Sequence, residues 1–238
     1  AELSRSHGLV PEFINPKWSA SDPMKIKFAS SARLECMMQD YPLGLQFEAP
    51  EGGFGKVGAT VFESWVGFSP VKNSWREACT KVTQGLPPYG ALSGELDQYA
   101  FICKALKQCG VTITGPVERT FSGNMVVEVW PIISVPMTCA GTFQELSSCF
   151  GPGVEISSRS SLLIQGEGKV IFKKLILDGA LVVHAPKGTV ITIDSLEVLN
   201  QGWNMKPIST EDTSYPEDIR LRGFILDKHE TFEYRPAH

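Results

Sequence analysis

Val154-Glu155-Ile156, Ser161-Leu162-Leu163-Ile164, Val170-Ile171-Phe172, Leu175-Ile176-Leu177, Ala180-Leu181-Val182-Val183, Val190-Ile191-Thr192-Ile193 and Leu196-Glu197-Val198-Leu199 succeed one another along the last third of the chain. Each run is aliphatic and rich in β-branched residues, long enough for a strand and too short for a helix. Turn residues separate most of them: Gly166-Glu167-Gly168-Lys169, Asp178-Gly179, Pro186-Lys187-Gly188 and Asn200-Gln201-Gly202. Short strands with regular turns predict stacked coils, in which each strand pairs with the one above and below, or a small sandwich. Strict hexapeptide repeats are absent, so the periodicity leaves both architectures open.

Downstream, Thr210 to His238 holds a polar loop and then Ile219-Arg220-Leu221-Arg222-Gly223-Phe224-Ile225-Leu226, whose alternation predicts one closing strand. Upstream, Thr142 to Cys149 reads as a short helix, and Val111-Thr112-Ile113 and Met125 to Val129 read as strands. The clearest helix runs from Ser93 to Cys109. Ser93 is a suitable N-cap, Glu95 and Asp97 lie near the positive end of the dipole, and Gly110 suits the position after the helix. Leu96, Tyr99, Cys103 and Leu106 form one apolar stripe, with Lys104, Lys107 and Gln108 outward, which makes this helix scaffold.

Val57 to Phe68 is an apolar, β-rich run that leads into Ser69-Pro70-Val71-Lys72-Asn73. A lysine just past a buried strand would stand at the strand's C-terminal end, the rim where open α/β folds bind ligands. The competing reading is a solvated loop lysine. Before that run, Glu51-Gly52-Gly53-Phe54-Gly55-Lys56 is dense in glycine. It lacks the preceding strand and following helix of a phosphate-binding loop and is expected to be a surface loop. Ala32 to Asp40 reads as a short helix presenting Leu34, Met37 and Met38 and closed by Pro42. Glu12 to Lys17 reads as a strand ending in an Asn-Pro turn.

The 238 residues are 42% hydrophobic and 20% charged, an ordinary globular composition that excludes a disordered tail, a collagen-like rod or a disulfide miniprotein. Lys and Arg total 22 against 26 Asp and Glu, a net charge of −4, which argues against a nucleic-acid or anionic-membrane partner. No apolar run approaches the ~20 residues needed to span a bilayer. The opening Ala1-Glu2-Leu3 shows neither an initiator Met nor a basic, apolar leader, and fits a part of a longer protein. The six cysteines are scattered without a C-x-x-C, so reduced thiols in a cytoplasmic setting are expected. The four histidines are dispersed, and no transition-metal site follows from them. There is no G-x-S-x-G, Walker loop or dinucleotide fingerprint. Lys72 is the one reactive-looking candidate.

Arg33-Leu34-Glu35-Cys36-Met37-Met38-Gln39-Asp40-Tyr41-Pro42 resembles the signature stretch of UDP-sugar pyrophosphorylases. Phe68-Ser69-Pro70-Val71-Lys72-Asn73 resembles the lysine motif they share with UDP-glucose and UDP-N-acetylhexosamine pyrophosphorylases. Asn15-Pro16-Lys17 is similar to their asparagine-proline-lysine turn. Cys149 to Ile156 and Asp178-Gly179-Ala180-Leu181-Val182 resemble the start and middle of their C-terminal β-helix, and Ile219-Arg220-Leu221-Arg222-Gly223-Phe224 their closing strand.

The resemblance implies an α/β part followed by an all-β part. These are the C-terminal part of a Rossmann-like nucleotidyltransferase domain over residues 1–150 and a left-handed β-helix-like domain over 151–238. It implies a reversible uridylyl transfer in which UTP and a sugar 1-phosphate give a UDP-sugar and pyrophosphate, with broad sugar specificity. Lys72 would contact phosphate as the catalytic residue, Asn15, Lys17 and Asn73 would bind substrate, and Mg²⁺ would bridge the phosphates. The family's nucleotide loop, uridine pocket and metal-binding carboxylate have no counterpart in these residues. The resemblance therefore implies a site completed by the N-terminal half of the same enzyme and a chain inactive alone. The alternatives are specificity for UDP-glucose or UDP-N-acetylhexosamine, and a non-catalytic β-helix module for assembly or regulation. A β-helix acyltransferase is disfavoured, since hexapeptide repeats are lacking and His184 lies at a strand end.

Overall fold

The computed structural model describes residues 7–19, 21–44 and 58–236. The chain divides into two units, Ala1–Val61 and Phe62–His238.

In the first unit β1 (Glu12–Ile14) pairs antiparallel with β2 (Leu34–Cys36), placing Phe13 opposite Glu35. Between them, Trp18 and Phe28 form an antiparallel bridge with ring centroids 4.8 Å apart. The turn inside that bridge is organised by Asp22, whose carboxylate accepts from the amides of Lys27 (2.6 Å), Ile26 (2.8 Å) and Met24 (3.1 Å). Those amides, Lys27 foremost, hold the Asp22 carboxyl below its usual range. A 3₁₀ turn, Met38–Asp40, leads into the single turn α1 (Tyr41–Gly44).

The helix expected over Ala32 to Asp40 is thus absent. Leu34–Cys36 takes β1 as its partner instead, because cross-strand pairing satisfies its amides where an isolated nine-residue helix would be marginal. Pro42 sits in the first turn of α1, where its missing N–H leaves nothing unpaired, rather than closing a helix. The glycine-dense segment Gly52 to Gly55 lies outside the described residues. Among the described residues of this unit no side chain is fully buried, and Leu9, Met24, Ile26 and Met38 are largely exposed.

The second unit opens with three helices, α2 (Ser64–Gly67), α3 (Trp75–Thr83) and α4 (Ala91–Gln108). Strands β3 (Thr112–Ile113), β4 (Val117–Phe121), β5 (Met125–Val129) and β6 (Ile132–Ser134) follow, then α5 (Phe143–Cys149). Next come β7 (Val154–Ile156), β8 (Ser161–Gln165), β9 (Lys169–Phe172), β10 (Leu175–Asp178), β11 (Ala180–His184), β12 (Val190–Ile193), β13 (Leu196–Leu199) and β14 (Trp203–Pro207). The chain finishes with α6 (Glu217–Arg222), β15 (Phe224–Lys228) and β16 (Phe232–Tyr234).

All seven runs that decided the sequence reading are strands. Within β7 to β13, strands three apart pair in parallel: β10 joins β7 to β13, β11 lies on β8, and β12 lies on β9, whereas β14 pairs antiparallel with β15. Leu175 stands opposite both Val154 and Leu196, Ala180 opposite Ser161, and Val190 opposite Lys169. Strands β3 and β6 add to the β7 and β8 edges in the same sense, and β16 closes the far side of β11. The unit is therefore mixed α/β with several parallel ladders.

Alternate residues of these strands turn inward. Val154, Leu162, Val170, Leu175, Leu177, Leu181 and Val183 are fully buried in one core with Leu106 of α4 and Phe150 after α5. Each such side chain contributes roughly 1.5–3 kcal/mol relative to exposure.

Polar groups stitch one corner where successive turns stack. The Arg159 guanidinium donates to the carbonyls of Asp178 (2.9 Å), Asn200 (2.9 Å) and Gln201 (3.2 Å), and pairs with the Asp178 carboxylate at 2.7 Å. Asn200 accepts from the amide of Ala180 (2.8 Å) and donates to its carbonyl (2.9 Å). This close approach needs Gly179, at φ +145°, where a Cβ would stand 2.1 Å from Asn200 Oδ1.

A second core joins Ala78 of α3 and Leu92 and Leu96 of α4 to Phe121, Met125, Val129 and Phe224. The strand expected from Ile219 to Phe224 is helical up to Arg222. Glu217 and Asp218 lie in its first turn, Arg220 and Arg222 in its last, and Gly223 stops it in the left-handed conformation at φ +82°. The extended segment starts only at Phe224. The α4 helix begins two residues earlier than its sequence signals. Gly90 occupies the cap, and Ser93 reaches back to accept from the Gly90 amide at 3.0 Å.

Candidate functional site

The Val57 to Phe68 run is not a strand in its described part. Gly58 to Glu63 is irregular, with Val61 93% exposed, and Ser64–Gly67 forms α2. Among the described residues no strand lies beside it, and β-rich sequence becomes a strand only when a partner takes its hydrogen bonds. Lys72 accordingly follows a short helix and an extended loop rather than a strand end.

That loop is held firmly at its C-terminal end. The amides of Lys72 and Asn73 both donate to the Tyr89 carbonyl, at 2.9 and 3.0 Å, and the Asn73 side-chain amide donates to the Pro88 carbonyl at 2.7 Å. Tyr89 adopts φ +47°, a conformation uncommon for a bulky residue, and so presents its carbonyl to both amides. Ser74 then caps α3. Its hydroxyl accepts from the Glu77 amide at 3.3 Å, while its own amide donates to the Glu77 carboxylate at 2.9 Å. Gly94 on α4 leaves room for the loop, since a Cβ there would stand 2.4 Å from Val71 Cγ2.

The Lys72 side chain is exposed, and its ammonium lies 5.6 Å from the centroid of the Tyr89 ring. Among the described residues no carboxylate pairs with it. Phe68 packs edge-on against the same ring at 5.9 Å. Lys72 and Asn73 are thus brought together around one carbonyl. Asn73 is spent on fixing the loop, its side chain already bonded to Pro88.

A cavity of about 860 Å³ adjoins this loop. Its lining includes Phe68, Ser69 and Tyr89, the neighbours of Lys72, and extends along α4 to Asp97, Phe101 and Lys104. Ser69 donates to the Asp97 carboxylate at 2.7 Å, tying the lysine loop to the helix. At the far end the Lys104 ammonium stands between two indoles, 5.8 Å from Trp65 and 6.0 Å from Trp130. An ammonium among aromatic faces can hold an anionic group beside a planar ring. Sequence reading assigned α4 to scaffold and Lys104 to its outward face, and missed this. The available signal was the recurrence of Trp65, Phe101 and Trp130, large aromatics close to lysines.

Asn15 and Lys17 belong to the first unit. Asn15 donates to the Glu35 carboxylate at 3.4 Å, which joins the asparagine-proline-lysine turn to the Arg33–Pro42 stretch. The Lys17 carbonyl accepts from the Ala29 amide, and its side chain is exposed.

Among the described residues no three His, Cys, Asp or Glu side chains converge as a metal site would require. Mg²⁺ therefore has no evident ligand set in them. Among the same residues no helix is long and apolar enough to cross a membrane.

No protein-family model matches the chain. Over 232 residues, 98% of its length, the chain is 38% identical to the UDP-sugar pyrophosphorylases of Oryza sativa subsp. indica and of Arabidopsis thaliana. The aligned part is 36% of each relative, so the chain spans about a third of the length of the curated relatives it matches.

Proposed function

We propose, from the premise that this chain is homologous over nearly all its length to about a third of a UDP-sugar pyrophosphorylase, that it works as part of a uridylyltransferase. The reaction joins UTP to a sugar 1-phosphate and releases pyrophosphate, reversibly and with several sugars accepted. In this reading the chain supplies Lys72 to a site completed by the N-terminal half of the same enzyme. That half would carry the uridine pocket and the Mg²⁺ ligands, and Mg²⁺ when bound would neutralise phosphate charge.

One observation carries the assignment of Lys72. Its main chain is pinned by the Tyr89 carbonyl while its ammonium is exposed and without an ion-pair partner among the described residues. A positioned, mobile point charge suits oxygens whose charge shifts during phosphoryl or nucleotidyl transfer. Asn15 and Lys17 would meet substrate from the first unit. Asn73 would act through the loop it fixes.

The parallel pairing of strands three apart supports reading β7 to β13 as turns of a β-helix, left-handed as in the family; residues 1–150 would be the end of the Rossmann-like domain. A second reading, a module for assembly, has its own observation. The outermost strands β12 and β13 leave Val190 and Leu199 about two-thirds exposed, an open edge that another chain could extend.

The test is uridylyl transfer by the purified 238-residue chain, alone and within a chain of the relatives' length. The proposal expects UDP-sugar only from the longer form. Robust formation by the isolated chain would overturn it.

A further inference from the structure

We propose that Cys139 and Cys149 are a redox-closable pair that a peroxide converts to an intramolecular disulfide spanning α5. The two thiols lie at opposite ends of the same short segment and share one buried pocket. Cys139 is 3% exposed and Cys149 is fully buried. The Cys149 Sγ lies 3.7 Å from the Cys139 carbonyl oxygen, the Val170 amide donates to the Cys139 sulfur at 3.4 Å, and the Cys139 Sγ lies 3.9 Å from the Val170 carbonyl. Lys169 stands next along the chain, its ammonium 3.2 Å from the Ser148 hydroxyl that precedes Cys149.

This setting separates the pair from the other cysteines. Hydrogen bonding with the Cys149 thiol, against the opposing effect of burial and with help from the Val170 amide and the Lys169 charge, holds the Cys139 thiol below its ordinary value. Cys149 moves the other way for the same reason, as the proton donor of the pair. The Val170 amide at the Cys139 sulfur favours ionisation of Cys139 over Cys149, the arrangement in which an attacking and a resolving thiol differ. Cys103 is buried too, and burial pushes it up to about 12. Cys79 and Cys109 are also raised by burial.

The cover over the pair is thin. α5 is seven residues long, and Gly141 to Glu145, Ser147 and Ser148 are exposed, so local opening of one short surface helix admits a small oxidant. In the first step the Cys139 thiolate attacks one peroxide oxygen and the O–O bond breaks. Hydroxide leaves, and Cys139 carries a sulfenic acid. The Cys149 sulfur then attacks the Cys139 sulfur. The S–O bond breaks and water departs with the Cys149 proton. Two thiols lose two electrons to one peroxide, which ends as two waters.

The experiment treats the folded 238-residue chain with hydrogen peroxide, unfolds it in iodoacetamide, and maps a non-reducing digest by mass spectrometry. The expected product is a cross-linked peptide joining Cys139 to Cys149. Both thiols are lost to alkylation while the other four remain, and dithiothreitol restores them. Full alkylation of Cys139 and Cys149 after peroxide, or a cross-link between other cysteines in its place, overturns the proposal. A C149S chain supplies an independent readout, since Cys139 should then stop at the sulfenic acid and be trapped by dimedone. Absence of that adduct in folded C149S also overturns it. The wild-type map stands whether or not the variant folds.

Discussion

Arg222 grips Glu95 from 127 residues away in sequence, its Nε and Nη2 donating to the two carboxylate oxygens at 2.7 and 2.5 Å. Tyr99, one turn along α4, donates its hydroxyl to the same carboxylate at 2.6 Å, and the guanidinium lies 4.0 Å over the Phe224 ring. Three side chains thereby fasten the C-terminal helix α6 to α4, the element that lines the candidate cavity. Both charged partners are about one-quarter exposed, so solvent screens the pair only in part.

Arg222→Ala should therefore destabilise the second unit by ~2 kcal/mol, typical for losing charge-assisted hydrogen bonds in a half-buried setting. That corresponds to roughly 4–8 °C in melting temperature for a domain of this size. Glu95→Gln added to Arg222→Ala should cost much less than the sum of the two single changes, a coupling that thermal melts of the four proteins would reveal. Additive losses would mean that the bidentate contact contributes nothing.

Lys72→Ala within a chain of the relatives' length should lower uridylyl transfer by ~10²–10³-fold with little effect on stability. The stability half of this expectation follows from the geometry, because the loop is fixed by main-chain amides that alanine keeps. Steady-state rates together with a melt separate the two halves. Unchanged turnover would favour the assembly reading.

Gly179→Ala and Gly188→Ala offer a matched comparison. Both glycines have positive φ, +145° and +79°, but an added Cβ meets Asn200 Oδ1 at 2.1 Å in the first case and nothing within 4 Å in the second. Gly188→Ala should cost only the conformational penalty, ~1 kcal/mol. Gly179→Ala should cost ~3 kcal/mol or more, since it also forces the stacked turns apart. Urea denaturation of both variants would check the ordering.

Acid should loosen the polar corner. The Arg159 guanidinium, then the Ser157 hydroxyl at 2.6 Å, hold the Asp178 carboxyl below its ordinary value of 3.8. A carboxyl whose pKa is lower folded than unfolded stabilises the fold above its unfolded pKa, and that contribution fades as pH falls through the folded one. Asp178→Asn should therefore flatten the loss of melting temperature below about pH 4. An unaltered acid slope would show that the exposed half of this ion pair is fully screened.

Most of the β7 to β13 region was legible in the sequence because its information is local. Val190–Ile193 and Leu196–Leu199 carry strand length, aliphatic runs and bounding turns within a few residues, and each is a strand with those bounds. Two of the failures lie where a partner decides, and one where local signals conflict. The Val57 to Phe68 run has every strand propensity yet, in its described residues, lacks a neighbour to pair with. Leu34–Cys36 was drawn from helix to strand by β1. Ile219–Arg222 alternates like a strand, but its charges follow the helix dipole and Gly223 ends it. At the candidate site, the motif puts Lys72 and Asn73 side by side in one loop. The contact that fixes this loop was not legible, because it depends on the backbone angle of Tyr89, seventeen positions after Lys72.

The ladder Val154–Leu175–Leu196 has a constant stride, 175 − 154 and 196 − 175 both being 21 residues. The two neighbouring ladders keep nearly the same stride, 180 − 161 being 19 and 190 − 169 being 21, so each pairing among β7 to β13 closes a loop of about twenty residues. Formation of β7 to β13 is thus a sequential zipper, in which each new strand templates on the one three before it instead of awaiting a long-range encounter. The same stride sets how it comes apart. Cleavage in one turn releases that turn from the edge and leaves the pairing beneath it, so limited proteolysis should yield a stepped series of fragments rather than a single collapse.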